Sequence, residues 1–242
     1  MGSALVGKTV LVIGRPSGIA RAIVEAAVAE GAEVTAAGRD AAKLQQAYNE
    51  PVFAKTVHAE TVDITDDATI AALAERMGSV DHVVTTASAR ARGLLQELDR
   101  EALLKSFDTK VIGPVMLAKY FAPRINEGGS ITLFSGVHAF KPTIGYLGVG
   151  ITNGAADFLT RSLSLELGPI RVNSISPGVI DTGIWDAFGE DGKREYFDHF
   201  RTHNPARRIG TVEDIAAAVI FAMTNRFLTG VTLRVDGGEP LT

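Results

Sequence analysis

The run Thr9-Val10-Leu11-Val12-Ile13-Gly14-Arg15-Pro16-Ser17-Gly18-Ile19-Ala20 passes from five β-prone residues through a glycine turn into an alanine-rich helical pattern. That context carries more weight than the glycines alone. Gly14 permits a tight turn, Gly18 lets the backbone approach a pyrophosphate, and the helix amino terminus presents free N–H groups and the positive end of its dipole. Arg15, Ser17 and Ile19 belong to the same candidate phosphate-binding turn, and Ala20 is small enough for helix and strand to pack closely.

Outward from this unit, short β-rich runs alternate with longer helical patterns, which predicts βαβ units and a parallel sheet covered on both faces. Seven strands are expected near Thr9–Ile13, Glu33–Ala37, Thr56–Ala59, His82–Thr86, Ser130–Phe134, Arg171–Ser176 and Thr232–Val235. Helices are expected near Gly18–Glu30, Ala41–Asn49, Asp66–Met77, Arg100–Ile125, Gly150–Leu167 and Val212–Met223, each with apolar residues at three- and four-residue spacing. The fold class is therefore α/β, Rossmann-type and doubly wound. No linker or repeat divides the 242 residues, so a single domain over 1–242 is expected. The stretch 183–204 breaks the rhythm with Trp185, Phe188, Tyr196, Phe197 and Phe200 among charges. It suits a helical lid over a pocket, and equally a surface helix whose aromatics pack on the core.

The net charge of −4 gives no electrostatic reason to expect nucleic acid or an acidic membrane as partner, which favours a small-molecule ligand. The absence of cysteine excludes a disulfide framework, a thiolate nucleophile and a cysteine-held metal, and fits a reducing cytoplasm. No metal site is expected. Neither a basic-then-apolar leader nor an apolar run of membrane-spanning length is present.

The second strand ends Thr35-Ala36-Ala37-Gly38-Arg39-Asp40. A dinucleotide fold that prefers NAD keeps a carboxylate here for the ribose 2′-OH. Gly38 holds that place and Arg39 follows, a cation suited to a 2′-phosphate, so NADP(H) is the expected cofactor. Arg15 is a candidate second cation. Asp40 is expected to cap the next helix.

Further segments, in order, give the chain a resemblance to the classical short-chain dehydrogenase/reductase family over nearly its full length. They are Gly14-x3-Gly18-Ile19, Val62-Asp63-Ile64, Val80-Asp81-His82-Val83-Val84, Ile170 to Thr182 with Ser176-Pro177-Gly178-Val179-Ile180, and Gly230 with Val235-Asp236-Gly237-Gly238. The resemblance implies that Asp63 and Ile64 touch adenine and that Pro177, Gly178, Ile180 and Thr182 lie along the nicotinamide end. The Asn-Asn-Ala-Gly that usually ends the fourth strand is Thr85-Thr86-Ala87-Ser88 here, with Ala87 and Ser88 still in cofactor-lining positions. It also implies a homodimer or homotetramer built through Arg100–Ile125, Gly150–Leu167 and the region after Gly230. Gly154, Ala155 and Ala156 suit close helix approach between subunits or within one chain.

The family's catalytic set does not carry over. Counting back from Leu159-Thr160-Arg161-Ser162-Leu163, its tyrosine falls on Val149, its lysine on Asn153 and its serine on Gly136, while its helix asparagine falls on Lys110. Valine cannot protonate a developing alkoxide, a function usually worth about 10²–10⁴ in rate. Substitute candidates are Tyr146, one turn before Val149, His138, Ser135 and Lys110. Each also has a structural reading: loop packing, a solvent-facing loop residue, a strand-end hydrogen bonder, and a charge near the cofactor or structural donor. An imidazole can donate near neutral pH without a tuned partner, which singles out His138. Two functions remain open on this reading, an atypical NADPH-dependent reductase and a catalytically silent NADPH-binding sensor or partner subunit.

Overall fold

A computed structural model of the protein describes residues 3–242, with Ile184 described by its backbone only. Seven strands form one parallel sheet: β1 Thr9–Ile13, β2 Glu33–Gly38, β3 Val57–Thr61, β4 Val80–Thr85, β5 Ile125–Phe134, β6 Arg171–Pro177 and β7 Thr232–Val235. Their spatial order is β3-β2-β1-β4-β5-β6-β7. The helices are α1 Gly18–Ala29, α2 Ala41–Ala47, α3 Asp67–Met77, α4 Arg100–Phe107, α5 Gly113–Phe121, α6 Leu147–Glu166, α7 Gly189–His203 and α8 Val212–Thr224.

Alternation along the strands divides the core in two. Val10 and Val12 join Ile23, Val24, Ile215 and Val219 of α1 and α8 on one face. Leu11 and Ile13 join Ile70, Leu73, Leu117 and Phe121 of α3 and α5 on the other. A period of two thus buries both faces, as a parallel sheet requires.

Three elements depart from the sequence expectations. The helix expected over Arg100–Ile125 is interrupted by a π turn at Asp108–Ile112, where the Gly113 N–H donates to Asp108 O, five residues back. Pro114 explains it: its ring has no N–H and crowds the carbonyl four residues earlier, that of Lys110, so the helix widens there. The helical run also ends early, and β5 begins at Ile125, five residues before the expected Ser130. The β4–β5 register shifts between Val80 and His82 to accommodate the extra residues. A side chain on Gly129 would meet Asp81 O at 2.3 Å, so the shifted strand needs a glycine there. Helix α6 begins at Leu147, one turn earlier than expected, with Tyr146 as its N-cap. Asp40 caps α2 as anticipated, accepting from the Lys43 N–H at 3.0 Å.

Buried Arg171 ties the start of β6 to the end of α8. Its guanidinium donates to Ala222 O at 2.7 Å, Met223 O at 2.6 Å and Asn225 O at 3.0 Å, serving the carbonyls that a helix leaves unpaired at its carboxyl end. Among the described residues no helix is long and apolar enough to cross a membrane.

Arg171→Met strands those carbonyls without enlarging the side chain. The expected cost is about 2–4 kcal/mol in urea unfolding, given what charged hydrogen bonds contribute. A loss under about 1 kcal/mol would show that water takes over the caps.

Candidate active site

Because every strand is parallel, the candidate residues follow strand carboxyl ends and share one rim. The chain leaves β1 toward β2 and β3 on one side and returns to β4 on the other, and ligands bind in the crevice at such a reversal. A recess of about 340 Å³ lined by Gly7, Lys8, Thr9, Glu33 and Thr56 lies at the strands' amino ends, away from all of them.

The β1–α1 turn is closed to side chains. A Cβ on Gly14 would stand 2.3 Å from Thr86 Oγ1 and 2.7 Å from the Ala20 methyl, and one on Gly38 would stand 2.9 Å from Gly14 O. Gly18 has φ +58° and faces Thr182, whose Cβ is 3.3 Å from where a Gly18 side chain would begin. The phosphate turn and the loop after β6 therefore meet. Ser17 occupies the N-cap of α1 in an extended conformation, makes no side-chain cap bond, and no acid stands in the first turn. The amino-terminal N–H groups are left for an outside acceptor. Arg15 and Arg39 are exposed, with no carboxylate within 4 Å among the described residues. These features fit a dinucleotide: a floor without side chains, free donors and unpaired cations.

Asp63 accepts from the Thr65 N–H at 3.0 Å and the Thr65 hydroxyl at 2.8 Å. Partial burial raises its carboxyl pKa, but these bonds and the nearby Arg39 charge outweigh burial and hold it below the usual value. The Ile64 side chain is buried in the core, leaving only its backbone for a ligand. Ile180 is buried too, and its carbonyl accepts from Trp185 Nε1 at 2.7 Å. Ala87, Pro177 and Gly178 are half-buried, and Ser88 is exposed.

On the other half of the rim, Lys110 projects from the π turn into the protein. Its Nζ donates to Ser135 O at 2.9 Å and to Asn153 Oδ1 in a short contact. Burial, with the nearby Arg90 charge, pushes the ammonium pKa down to about 7. Asn153 on α6 is buried, and its Nδ2 lies 2.7 Å from where a Gly136 Cβ would be, so the amide fills the space that a side chain at 136 would need. That Nδ2 makes no hydrogen bond within the protein and is not sealed off from solvent.

The Ser135 hydroxyl donates to Asn153 O at 2.9 Å and its N–H to Ile175 O at 2.9 Å, so Ser135 ties β5 to α6 and β6. His138 is half-buried, and its ring is kept below its usual pKa: burial lowers it, the Lys141 carbonyl opposes, and Arg92 and Arg90 lower it further. That shift favours the neutral imidazole over the imidazolium.

Tyr146 stacks on His138, ring centroids 4.2 Å apart, and the Arg92 guanidinium lies 5.0 Å from the Tyr146 ring centre. Val149 is buried one turn on. From α7, Tyr196 stacks on Trp185 at 4.7 Å, while Phe197 is buried. Burial first, then the proximity of Tyr146 and Glu239, pushes the Tyr196 hydroxyl up to about 12 despite the opposing charges of Arg92 and Arg90. Sequence reasoning missed Arg90 and Arg92. The signal was two arginines in alternation with alanine just after Ala87-Ser88. Asn153 was read as able to hydrogen-bond, but its pairing with Lys110 was missed because the two were weighed separately. Among the described residues no cluster of three His, Asp or Glu is placed to hold a metal.

The family model described as enoyl-(acyl carrier protein) reductase matches residues 13–239. Short-chain dehydrogenase/reductase ATR9 of Stachybotrys chlorohalonatus is 32% identical over 96% of this chain and 96% of that protein. A short-chain type dehydrogenase/reductase from Mycobacterium ulcerans has a TM-score of 0.89 at 30% identity, covering 98% of this chain and 91% of that one. A small-chain dehydrogenase in complex with NADPH has a TM-score of 0.82 at 29% identity, covering 97% and 99%. With the strand order, the glycine turn and these full-length likenesses in agreement, the chain belongs to the short-chain dehydrogenase/reductase family of oxidoreductases.

Proposed function

We propose that the protein is an NADP(H)-dependent reductase of a small molecule, working through an atypical active site. The observation that carries the reading is the buried bond between Lys110 and Asn153. The positions that resemblance gives to the family's asparagine and lysine hold Lys110 and Asn153, the same two residue types exchanged and in contact. Burying a lysine with no carboxylate partner is costly. A protein that merely stored nucleotide would gain nothing from it.

The nicotinamide of a bound NADPH supplies the hydride. Gly14, Ser17, Gly18 and Ile19 hold the phosphates, and Arg39, with Arg15, takes the 2′-phosphate. Asp63, Ile64, Ala87 and Ser88 line the adenosine side, and Pro177, Gly178, Ile180 and Thr182 line the nicotinamide side. Lys110 fixes the Asn153 amide so that Nδ2 points over Gly136, a preset donor for an oxygen or nitrogen that gains charge. Val149 gives no proton, so the substrates this site suits need little acid assistance: activated alkenes, imines and quinones rather than simple ketones. Tyr146 is the nearest hydroxyl for a substrate that does need one. Trp185 and α7 serve as the lid, supported by the closeness of Tyr196 to Tyr146. A cytoplasmic setting completes the proposal, supported by the absence of cysteine.

The rival reading, a catalytically silent NADPH sensor or partner subunit, rests on Val149. An absorbance assay of NADPH oxidation across ketones, quinones, imines and activated alkenes, with a binding titration alongside, separates the two. Tight NADPH binding with no turnover of any class would favour the sensor.

NADPH should bind better than NADH. Arg39→Ala should shrink that preference by about 1.5–3 kcal/mol, roughly ten- to a hundredfold. Equal affinities in the unmodified protein would sink the NADP(H) assignment.

For Lys110 the sign follows from its depressed folded-state pKa. Between about 7 and the unfolded lysine value of about 10.4, the unfolded chain binds the extra proton, so stability rises with pH through that window. Lys110→Met should remove that rise, and its unfolding free energy relative to wild type should fall steadily from pH 7 to 10. Parallel curves would show an ordinary lysine. Tyr146→Phe should lower turnover and leave NADPH affinity intact if the hydroxyl donates. Full activity in that variant would leave proton delivery to water, Lys110 or the substrate.

We also propose a homodimer or homotetramer. Leu104, Ile112, Ile151 and Phe158 on the α4, π-turn and α6 segments are exposed, and no atom lies within 4 Å of where a Gly154 side chain would sit, so that glycine is not needed for packing within the chain. Sedimentation at micromolar concentration should show the assembly, and Phe158→Asp should weaken it. A monomer in the unmodified protein would overturn this.

A further inference from the structure

We infer that the substrate carries an anionic group, a carboxylate or a phosphate, and that Arg90 and Arg92 in the loop after β4 receive it. This names the substrate class for the reductase proposed above and rests on that reading.

Both arginines follow the carboxyl end of β4, the strand beside β1 at the reversal of strand order, so they border the cofactor crevice. Both are open to solvent, although protein atoms crowd Arg90. Arg92 is preset: its guanidinium lies over the Tyr146 ring at 5.0 Å, and Tyr146 in turn stacks on His138 at 4.2 Å. A guanidinium stacked on an aromatic face keeps its edge N–H groups free, and those form the planar fork that matches a carboxylate or phosphate in two parallel hydrogen bonds.

Neither arginine donates a hydrogen bond to the protein or has a carboxylate within 4 Å among the described residues. Most other arginines of the chain are satisfied: Arg21 by Glu25 and Glu50, Arg76 by Glu60, Arg161 by Asp157, Arg208 by Asp214 and Arg171 by carbonyls. Like charge accumulates instead. Arg90 feels Arg92 and Arg15 as neighbouring cations, with only the Tyr146 and Tyr196 hydroxyls opposing them. Glu239, an acid near Tyr196, is buried, its carboxyl kept toward the neutral form by burial and Asp236 against the pull of Lys141. In a chain of net charge −4, two adjacent unneutralised guanidiniums at a crevice mouth are costly until an anion arrives.

The position separates this role from the cofactor's. Arg15 and Arg39 follow β1 and β2, on the phosphate and adenosine side. Arg92 lies over Tyr146, both arginines act on His138 and Tyr196, and Arg90, though it also feels Arg15, is near enough to Lys110, the partner of Asn153, to lower its pKa. An anion held there by two points leaves the remainder of a small substrate directed toward the Asn153 amide.

The test uses full-length protein with NADP⁺ and a panel of matched acids, methyl esters and phosphate monoesters built on keto, enone and imine frames. Binding is read by calorimetry and NADPH oxidation by absorbance. Anionic members should bind at least tenfold tighter than their esters, the preference should weaken with added salt, and Arg90→Gln/Arg92→Gln should abolish it while NADPH affinity stays unchanged. A carboxylate preference over phosphate, or the reverse, decides which anion the site takes. Absence of any anionic binder, equal binding of acids and esters, or a preference that survives in the double variant overturns the inference. So does a loss of NADPH affinity in that variant, which would assign the arginines to the cofactor. Selective anion binding with no NADPH oxidation on any frame would keep the anion site and reject the reductase.

Discussion

Parallel pairing of β1 with β2 on one side and β4 on the other is the constraint on which the site depends. It brings three strand ends to one rim with little space between them, and the contacts there admit no side chain at Gly14 or Gly38. A carboxylate on the residue after Ala37 would need room that the Gly14 carbonyl already takes. The absence of an acid at that point is thus part of the turn's geometry, and the cation at Arg39 stands just beyond the crowded position. The same closeness joins Gly18 to Thr182, so the loop after β6 cannot move freely of the phosphate turn.

The second half of the rim is governed by Pro114. A regular helix cannot pass through it without a clash at the Lys110 carbonyl, and the resulting π turn changes the direction of the residues just before it. Lys110 then reaches across to Ser135 O and Asn153 Oδ1, two acceptors on two other elements. Neither acceptor is charged, so burial depresses the ammonium instead of a carboxylate stabilising it. Gly136 completes the arrangement, since a side chain there would displace the Asn153 amide. Lys110, Asn153 and Gly136 are therefore one packing solution, each fitting the space the other two leave. Val149 lies outside that set, which is why the proton source and the donor are separate questions.

The seven strands, their parallel sense and the close glycine turn after β1 were legible because each rests on local information: alternating apolar residues, and glycines at fixed offsets from a strand end. The early start of β5 was not. Its first residues, Ile125-Asn126-Glu127-Gly128-Gly129, have polar and glycine composition, and only the shifted β4 register makes them a strand. The π turn was recoverable from Pro114 inside a helical pattern, but an amphipathic spacing continuing on both sides concealed it. Ser135 and His138 look like proton donors in sequence because hydroxyl and imidazole are the right groups. The carbonyl 2.9 Å from the Ser135 hydroxyl and the two arginines near the His138 ring are long-range facts that spacing does not encode.

The distribution of acids gives the site its sign. Asp181 adjoins Thr182 in the loop after β6 that faces Gly18. Lys193 of α7 binds it at 3.0 Å and Asp186 at 2.7 Å, so the one helix that crosses this region brings a cation to neutralise both. Exposed pairs of this kind contribute little stability. Their effect is on potential: Lys193 matches Asp181 and Asp186, while Arg15, Arg39, Arg90 and Arg92 have no carboxylate within 4 Å among the described residues. Removing Lys193 would cost the fold little and would return two negative charges to the crevice, so the aromatic helix shapes the field of the site as well as its walls.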